Sequence, residues 1–207
     1  MMPFSFLTLA GPAEGLYKEK GSKFMAFAYP VTSEIDIREK IGKLKKDYFD
    51  ARHHGYAWIL GPDACRYRAF DDGEPNHSTG DPILGQIRSR KLTNVLVVVV
   101  RYFGGTKLGV SGLVAAYRAA ADDALGKAQV IECEVTGSLK MQYEFSATPE
   151  VMRVVKEFGL VIKEQHFESG GTMTVEFGIR HQVALMEKLT LLKAIGHKLS
   201  FTEPSIS

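Results

Sequence analysis

The first 60 residues alternate between apolar runs and polar breaks. Three apolar runs have the length of β-strands, at residues 4–10, 24–29 and 55–60. Pro30 ends the second run and Gly61-Pro62 ends the third, because glycine and proline interrupt regular structure. The pattern predicts three strands here, and residues 67–70 are a candidate hairpin partner for the third.

A helical stripe lies between the second and third runs. Its apolar positions are Ile35, Ile37, Ile41 and Leu44. Thr32 or Ser33 can cap the start of this helix, because a hydroxyl oxygen accepts hydrogen bonds from the first free backbone amides. The first region therefore predicts the order strand, strand, helix, strand.

The strongest strand signal is the run of residues 95–100, in which every position is apolar. A strand of this kind buries both faces, which predicts a central strand. Residues 71–82 before it are dominated by turn-forming residues and predict a loop, followed by a helix from Pro82 to Lys91. A glycine-rich loop at residues 104–112 follows the strand. An alanine-rich helix is then predicted from Leu113 to about Lys127, with Ser111 as its N-cap.

The remainder of the chain shows a clean alternation of predicted strands and helices. Its predicted elements are strand 139–145, helix 149–158, strand 160–167, strand 172–179, helix 182–192 and a last strand at 197–201. Thr148 is the predicted N-cap of the first of these helices, ahead of Pro149. The order βαββαβ is that of a ferredoxin-like domain. The fold class is thus α+β with two domains, residues 1–136 and 137–207.

Composition and charge exclude several classes of protein. The 207 residues are 45% hydrophobic, which excludes wholesale disorder, and the net charge is only +2. A nucleic-acid surface must therefore come from local clustering of charge. Cys65 and Cys133 stand far apart and predict reduced thiols. No apolar stretch has transmembrane length, so we expect a cytoplasmic protein without membrane contact.

The glycine-rich loop is a candidate anion site. It joins a buried strand to a helix N-terminus, where free amides and the helix dipole favour negative charge. Arg101 and Lys107 can add charge, and the predicted contacts are Arg101, Gly104, Gly105, Thr106, Lys107 and Gly109. The glycines spell neither a Walker A nor a dinucleotide-binding motif, so no nucleotide cofactor is expected. The alternative is that they only form a tight turn.

Basic residues interleaved with aromatic residues extend this candidate surface. The predicted additional contacts are Arg66, Arg68, Arg88 and Lys91. Arginine and lysine beside Tyr67, Tyr102 and Phe103 are typical of surfaces that track phosphates and stack on bases. The alternative is a solvated charged face.

The loop after residue 70 contains the densest group of carboxylates. Asp71, Asp72 and Glu74, with His53 and His54, are candidate cleft residues for acid–base chemistry. The alternative is that the carboxylates accept backbone N–H bonds and pair with nearby basic residues. Their spacing fits no metal motif, so we expect no metal site and assign no catalytic residue.

Several of these segments together resemble the IMPACT family. The shared motifs are Gly21-Ser22-Lys23-Phe24, Ala51-Arg52-His53-His54, Asp71-Asp72-Gly73-Glu74-Pro75, Gly80-x-Pro82-Ile83-Leu84 and the segment from Arg101 to Gly109. The resemblance spans roughly residues 15–130. It implies a first domain like the second domain of a small-subunit ribosomal protein, and a second domain like the fifth domain of elongation factor G.

Both implied domains point to contact with RNA or with a ribosome-associated protein. We therefore expect a non-catalytic binding protein, with translation regulation as a function that the resemblance implies. The alternative is an enzyme that acts on a phosphorylated small molecule, in a cleft between residues 71–75 and 104–109.

Overall fold

The computed structural model describes residues 3–206 and divides into two compact units, one ending at Cys133 and the other beginning at Glu134. The sequence suggested a division between residues 136 and 137, but Thr136 already lies in a strand of the second unit. Among the described residues, no helix has both the length and the apolarity that crossing a membrane requires.

The first unit contains most of the helices and strands. In chain order they are β1 (Ser5–Leu9), β2 (Ala13–Glu19), β3 (Ser22–Pro30), α1 (Glu34–Asp47), β4 (His53–Leu60), β5 (Arg66–Phe70), α2 (Gly80–Ser89), β6 (Val95–Tyr102), α3 (Gly109–Lys127) and β7 (Val130–Glu134). Five of the strands form an antiparallel sheet in the order β2-β3-β6-β4-β5, and β1 pairs with β7. The prediction that the valine run is a central strand is confirmed.

Alternating side chains of β6 build two cores. Val95, Val97 and Val99 pack with apolar residues of α2 and α3 on one face of the sheet. Leu96, Val98 and Val100 pack with apolar residues of α1 on the other face. Because successive side chains of a strand point to opposite faces, this all-apolar strand supports both layers at once.

The β2–β3 hairpin was not predicted. Its two-residue turn consists of Lys20 and Gly21, which have φ angles of 44° and 80°. Two consecutive positive φ angles are typical of a type I′ turn, whose twist matches that of the flanking strands. The Lys-Gly pair is a weaker turn signal than Asn-Gly. In addition, β2 contains so many polar residues that its alternation of apolar and polar positions is not recognisable.

Three helix starts differ from the prediction. α2 begins at Gly80, two residues before Pro82. α3 begins at Gly109, so Ser111 lies inside the first turn and does not cap it. In the second unit, a short 3₁₀ turn leads directly into the helix, so Thr148 is its first residue and not its cap. The N-cap of α1 is Ser33, whose side chain accepts a hydrogen bond from the Asp36 amide.

The second unit is an antiparallel sheet with two helices. Its elements are β8 (Thr136–Tyr143), α4 (Thr148–Glu157), β9 (Val161–Phe167), β10 (Gly171–Gly178), α5 (Gln182–Ala194), β11 (Leu199–Phe201) and β12 (Ser205–Ile206). The main strand order is β11-β8-β10-β9, with β12 pairing to the start of β8. The element order is that of a ferredoxin-like domain. The α+β class is confirmed for the chain.

Candidate nucleic-acid interface

The loop between β5 and α2 is organised by its own carboxylates, and Asp71 is the first. Its Oδ1 accepts hydrogen bonds from the amides of Thr79 at 2.9 Å and Gly80 at 2.8 Å, and its Oδ2 accepts one from the His77 amide at 2.9 Å. The Thr79 and Gly80 amides lie at the start of α2, where amides lack a partner within the helix and Thr79 makes no capping bond. Asp71 therefore caps α2 from outside the helix.

Asp72 connects the same loop to β4 and α1. Its Oδ2 accepts a hydrogen bond from the His54 amide at 2.7 Å, and its Oδ1 accepts one from Lys45 Nζ at 3.3 Å. The Asp72 carbonyl oxygen lies 2.9 Å from His53 Nδ1. Burial lowers the pKa of His54, and the nearby Asp72 carboxylate opposes this only in part. Both histidines thus contact Asp72 and hold the loop against β4.

Glu74 inserts into the interior of the first unit. Its Oε1 lies 2.5 Å from Arg101 Nη1 on β6 and accepts a hydrogen bond from the Tyr117 hydroxyl of α3 at 2.9 Å. The side chains of Glu74 and Arg101 are only 5% and 7% exposed, and Tyr117 is fully buried. Burial and the Glu74 charge raise the pKa of Tyr117.

The three carboxylates therefore act as supports within the fold. Each joins the loop to a different element, which matches the structural alternative considered for this loop. Among residues 3–206, no group of three or more His, Cys, Asp and Glu side chains is placed to hold a metal ion. Acid–base chemistry in a cleft gains no support from this geometry, since each carboxylate already accepts hydrogen bonds from the protein.

The glycine loop lies at the end of β6, beside the turn of the β2–β3 hairpin. The Gly104 amide donates a hydrogen bond to Ser22 Oγ at 3.1 Å. A Cβ atom on Gly104 would lie 1.8 Å from the carbonyl carbon of Gly21, so two backbones touch at this point. This contact explains a glycine at 104, and it brings the first and last of the family motifs together.

Residues 104–107 are exposed, and of their amides the one of Gly104 is bonded to Ser22. Leu108 occupies the N-cap position of α3 and offers no side-chain cap, so no side chain satisfies the first amides of this 19-residue helix from that position. Gly109 and Ser111 belong to the first turn. The loop thus presents backbone donors beside the exposed side chains of Thr106 and Lys107.

Strand pairing adds lysines that the sequence analysis missed. Lys18 lies directly opposite Lys23 in the hairpin, and Lys23 lies opposite Tyr102 of β6. Lys20 is part of the hairpin turn, next to Gly21. Within the described residues, Lys18, Lys20, Lys23 and Lys107 form no ion pair. We call the hairpin end of the sheet, with Lys18, Lys20, Lys23 and residues 103–107, the lysine–glycine surface. Lys18 and the half-buried Lys23 lie on the sheet face of Met25, whereas the Phe103 ring lies with Arg101 and Phe24 on the other face, so this surface wraps around the end of the sheet.

The other predicted basic contacts lie elsewhere. Arg68 pairs with Trp58, which pairs with Leu96, whereas Arg101 pairs with His53 at the opposite end of β4. Leu96 and Arg101 are separated by roughly 16 Å along β6, at about 3.3 Å per residue. The predicted single surface is therefore divided by the strand register.

The remaining arginines at this far end already have partners. Arg66 forms an ion pair with Glu34 at 2.6 Å, and Arg68 lies over the ring of Phe70. Arg88 of α2 lies over the Tyr67 ring at 4.3 Å, and the nearby Lys91 follows that helix. Arg101 is itself buried and neutralised by Glu74, so its charge is directed inward and not toward the loop.

Comparisons with a family model and with individual proteins point to the same family. The family model described as the Impact N-terminal domain matches residues 20–125. IMPACT family member YvyE of Bacillus subtilis (strain 168) is 30% identical over 166 residues, which cover 80% of this chain and 76% of that protein. IMPACT family member YigZ of Escherichia coli (strain K12) is 35% identical over 123 residues, or 58% of this chain and 60% of that protein.

A solved structure has a similar fold over nearly the whole chain. It is a crystal structure of a hypothetical protein with a TM-score of 0.72 and 25% sequence identity, and the match covers 95% of this chain and 97% of that one. The matched residues include the hairpin turn, the loop between β5 and α2 (the acidic loop) and the glycine loop. The hairpin turn touches the glycine loop at Gly104, and Glu74 joins the acidic loop to Arg101 at the end of β6. By this match and by its similarity to YvyE, the chain belongs to the IMPACT family.

Proposed function

We propose that the chain is an RNA-binding protein and that the lysine–glycine surface contacts the phosphates. The observation that carries the proposal is the direct opposition of Lys18 and Lys23 without an ion pair in the described residues. Like charges directly opposite each other destabilise a hairpin. An anion that bridges both ammonium groups would remove this cost.

The geometry of the glycine loop supports the same proposal. Backbone amides that face solvent in front of a helix N-terminus accept anions, and residues without a Cβ let a phosphate approach closely. Lys107 adds an exposed positive charge to this loop. The acidic loop supports the start of the glycine loop, because Glu74 holds Arg101 at the end of β6.

RNA is the polyanion that the family resemblance implies. That resemblance leads us to expect domains like those of a ribosomal protein and an elongation factor, which would contact the translation machinery. The modest net charge of +2 argues against bulk electrostatic binding and favours a local surface. We therefore place the proposed contact at the hairpin end of the first unit.

The test is a salt titration of RNA binding. A fluorescently labelled RNA of about 12 nucleotides is titrated with protein between about 50 and 200 mM salt. Four lysine contacts to a single strand predict a log–log slope of roughly −2.8, because each phosphate contact contributes about −0.7. The double variant Lys23→Ala, Lys107→Ala should make the slope less steep, at about −1.4.

The double variant Arg66→Ala, Arg68→Ala is the matched control, since it also removes two positive charges but at the far end of the sheet. Its slope should equal that of the wild type. Absence of binding at low salt, or equal slopes for both double variants, would contradict the proposal. Sedimentation of the protein with ribosomal particles, lost in the lysine variant, would extend it to the cell.

A further inference from the structure

Phe103 is the outer layer of a stack that runs from the core to the surface. The Arg101 guanidinium lies over the Phe24 ring at 5.4 Å and over the Phe103 ring at 5.6 Å. Phe24 is fully buried, whereas Phe103 is 54% exposed. An aromatic ring is therefore presented to solvent at the edge of the glycine loop.

The inner layers of this stack are held firmly. Arg101 is fixed by its ion pair with Glu74, and Glu74 is fixed in turn by the Tyr117 hydroxyl. Gly104, the next residue along the chain, is anchored by its bond to Ser22. A ring that is held in place on both sides loses little conformational freedom when a ligand stacks on it.

The surroundings of the ring identify the kind of ligand. Phe103 is followed, after Gly104, by the exposed residues 105–107, the last of which carries the ammonium group of Lys107. An apolar ring beside phosphate donors matches the two parts of a nucleotide, its base and its phosphate. A hydrophobic protein segment would use the ring but would leave Lys107 without a partner.

We infer that Phe103 stacks on an unpaired base and that the lysine–glycine surface selects single-stranded RNA over duplex RNA. The inference rests on the proposed RNA binding and gives it a substrate class. In an A-form duplex the bases are stacked on their neighbours and cannot reach a side chain, whereas an unpaired base can turn outward. Arg101 thus has a positioning role beneath the ring, and Phe103 makes the contact.

The test compares single-stranded RNA with a duplex of the same sequence and length. Wild-type protein should bind the single strand more tightly than the duplex. Phe103→Ala should weaken single-strand binding by about 5- to 150-fold, which corresponds to the loss of one stacking contact. Binding of the duplex, which uses only the phosphate contacts, should be unchanged.

Three further variants test whether the aromatic ring at this position, and not apolar bulk or exposed rings in general, causes the single-strand preference. Phe103→Trp keeps an aromatic face and should retain the single-strand preference. Phe103→Leu keeps an apolar side chain without a ring and should behave like Phe103→Ala. Phe49→Ala removes another exposed ring of the same unit, 83% exposed, and should bind as the wild type does. The salt slope should be equal in all of them, because none loses a charge.

The outcomes distinguish the two proposals. If single strand and duplex bind equally well in the wild type, or if Phe103→Leu binds as well as Phe103→Trp, the stacking inference is overturned. RNA binding through the lysines still stands in that case if the salt slope of the Lys23→Ala, Lys107→Ala variant is less steep than that of the wild type. If neither RNA binds at low salt, both proposals are overturned together.

Discussion

Glu74 and Arg101 form an ion pair that is almost completely withdrawn from solvent. Glu74 comes from the acidic loop and Arg101 from the end of the central strand, 27 residues later. Burying two charges is costly, and the cost is offset only when their geometry is good and further hydrogen bonds complete the pair. Tyr117 provides such a bond to Glu74. The pair therefore ties the acidic loop to the segment that begins the glycine loop.

Removal of one member of this pair should destabilise the fold strongly. Glu74→Ala leaves the Arg101 charge buried without a partner, and we expect it to lower the free energy of unfolding by about 3 to 5 kcal/mol. Glu34→Ala is the matched control, since it breaks the exposed ion pair with Arg66 and should cost less than about 1 kcal/mol. Urea unfolding followed by circular dichroism measures both. Equal losses in the two variants would contradict this account of the buried pair.

His54 should make stability depend on pH. Burial lowers its pKa below the ordinary value of 6.5, so the folded state prefers the neutral ring. The unfolded state then binds the proton more readily, and the free energy of unfolding should fall as the pH is lowered through about 6.5 toward 5. Urea unfolding at several pH values should show a smaller fall in His54→Gln. The exposed His166, changed to Gln, should leave the wild-type pH dependence intact.

Asp71 should contribute to stability through the start of α2. Asp71→Ala removes a single carboxylate that accepts from three backbone amides, two of them at the first positions of the helix. We expect a loss of at least about 1 to 2 kcal/mol, as for other capping residues. Amide hydrogen exchange should speed up at Thr79 and Gly80. Asp81→Ala, which removes an exposed carboxylate from the same helix, should leave these amides protected.

Gly104 should tolerate no side chain. In Gly104→Ala the new Cβ would lie 1.8 Å from the Gly21 backbone, so one of the two segments must move. We expect a loss of about 1 to 3 kcal/mol in the free energy of unfolding, as in other overpacked sites. Gly126→Ala in α3 has open space around its Cβ and should be neutral or stabilising by up to about 1 kcal/mol. Thermal unfolding of the two variants in parallel tests the difference.

Much of the element order can be predicted from local patterns. The all-apolar run at β6 indicates a central strand because burial on both faces requires apolar residues at every position. The capping serine at α1 and the strand–helix alternation of the second unit are equally local signals. Even so, β2 was missed and α3 begins before the predicted residue, because turn and helix starts depend on weak preferences that packing overrides.

The sequence by itself determined the α+β class, the central strand and the glycine loop between a strand and a helix, since each follows from neighbouring residues. Only the tertiary structure decided which charges meet. The register of the sheet brings Lys18 and Lys23 to the end of β6 and sends Arg66 and Arg68 to the other end. Packing turned Glu74 and Arg101 inward toward each other. Pairing between distant strands sets these distances, and no local pattern of residues encodes them.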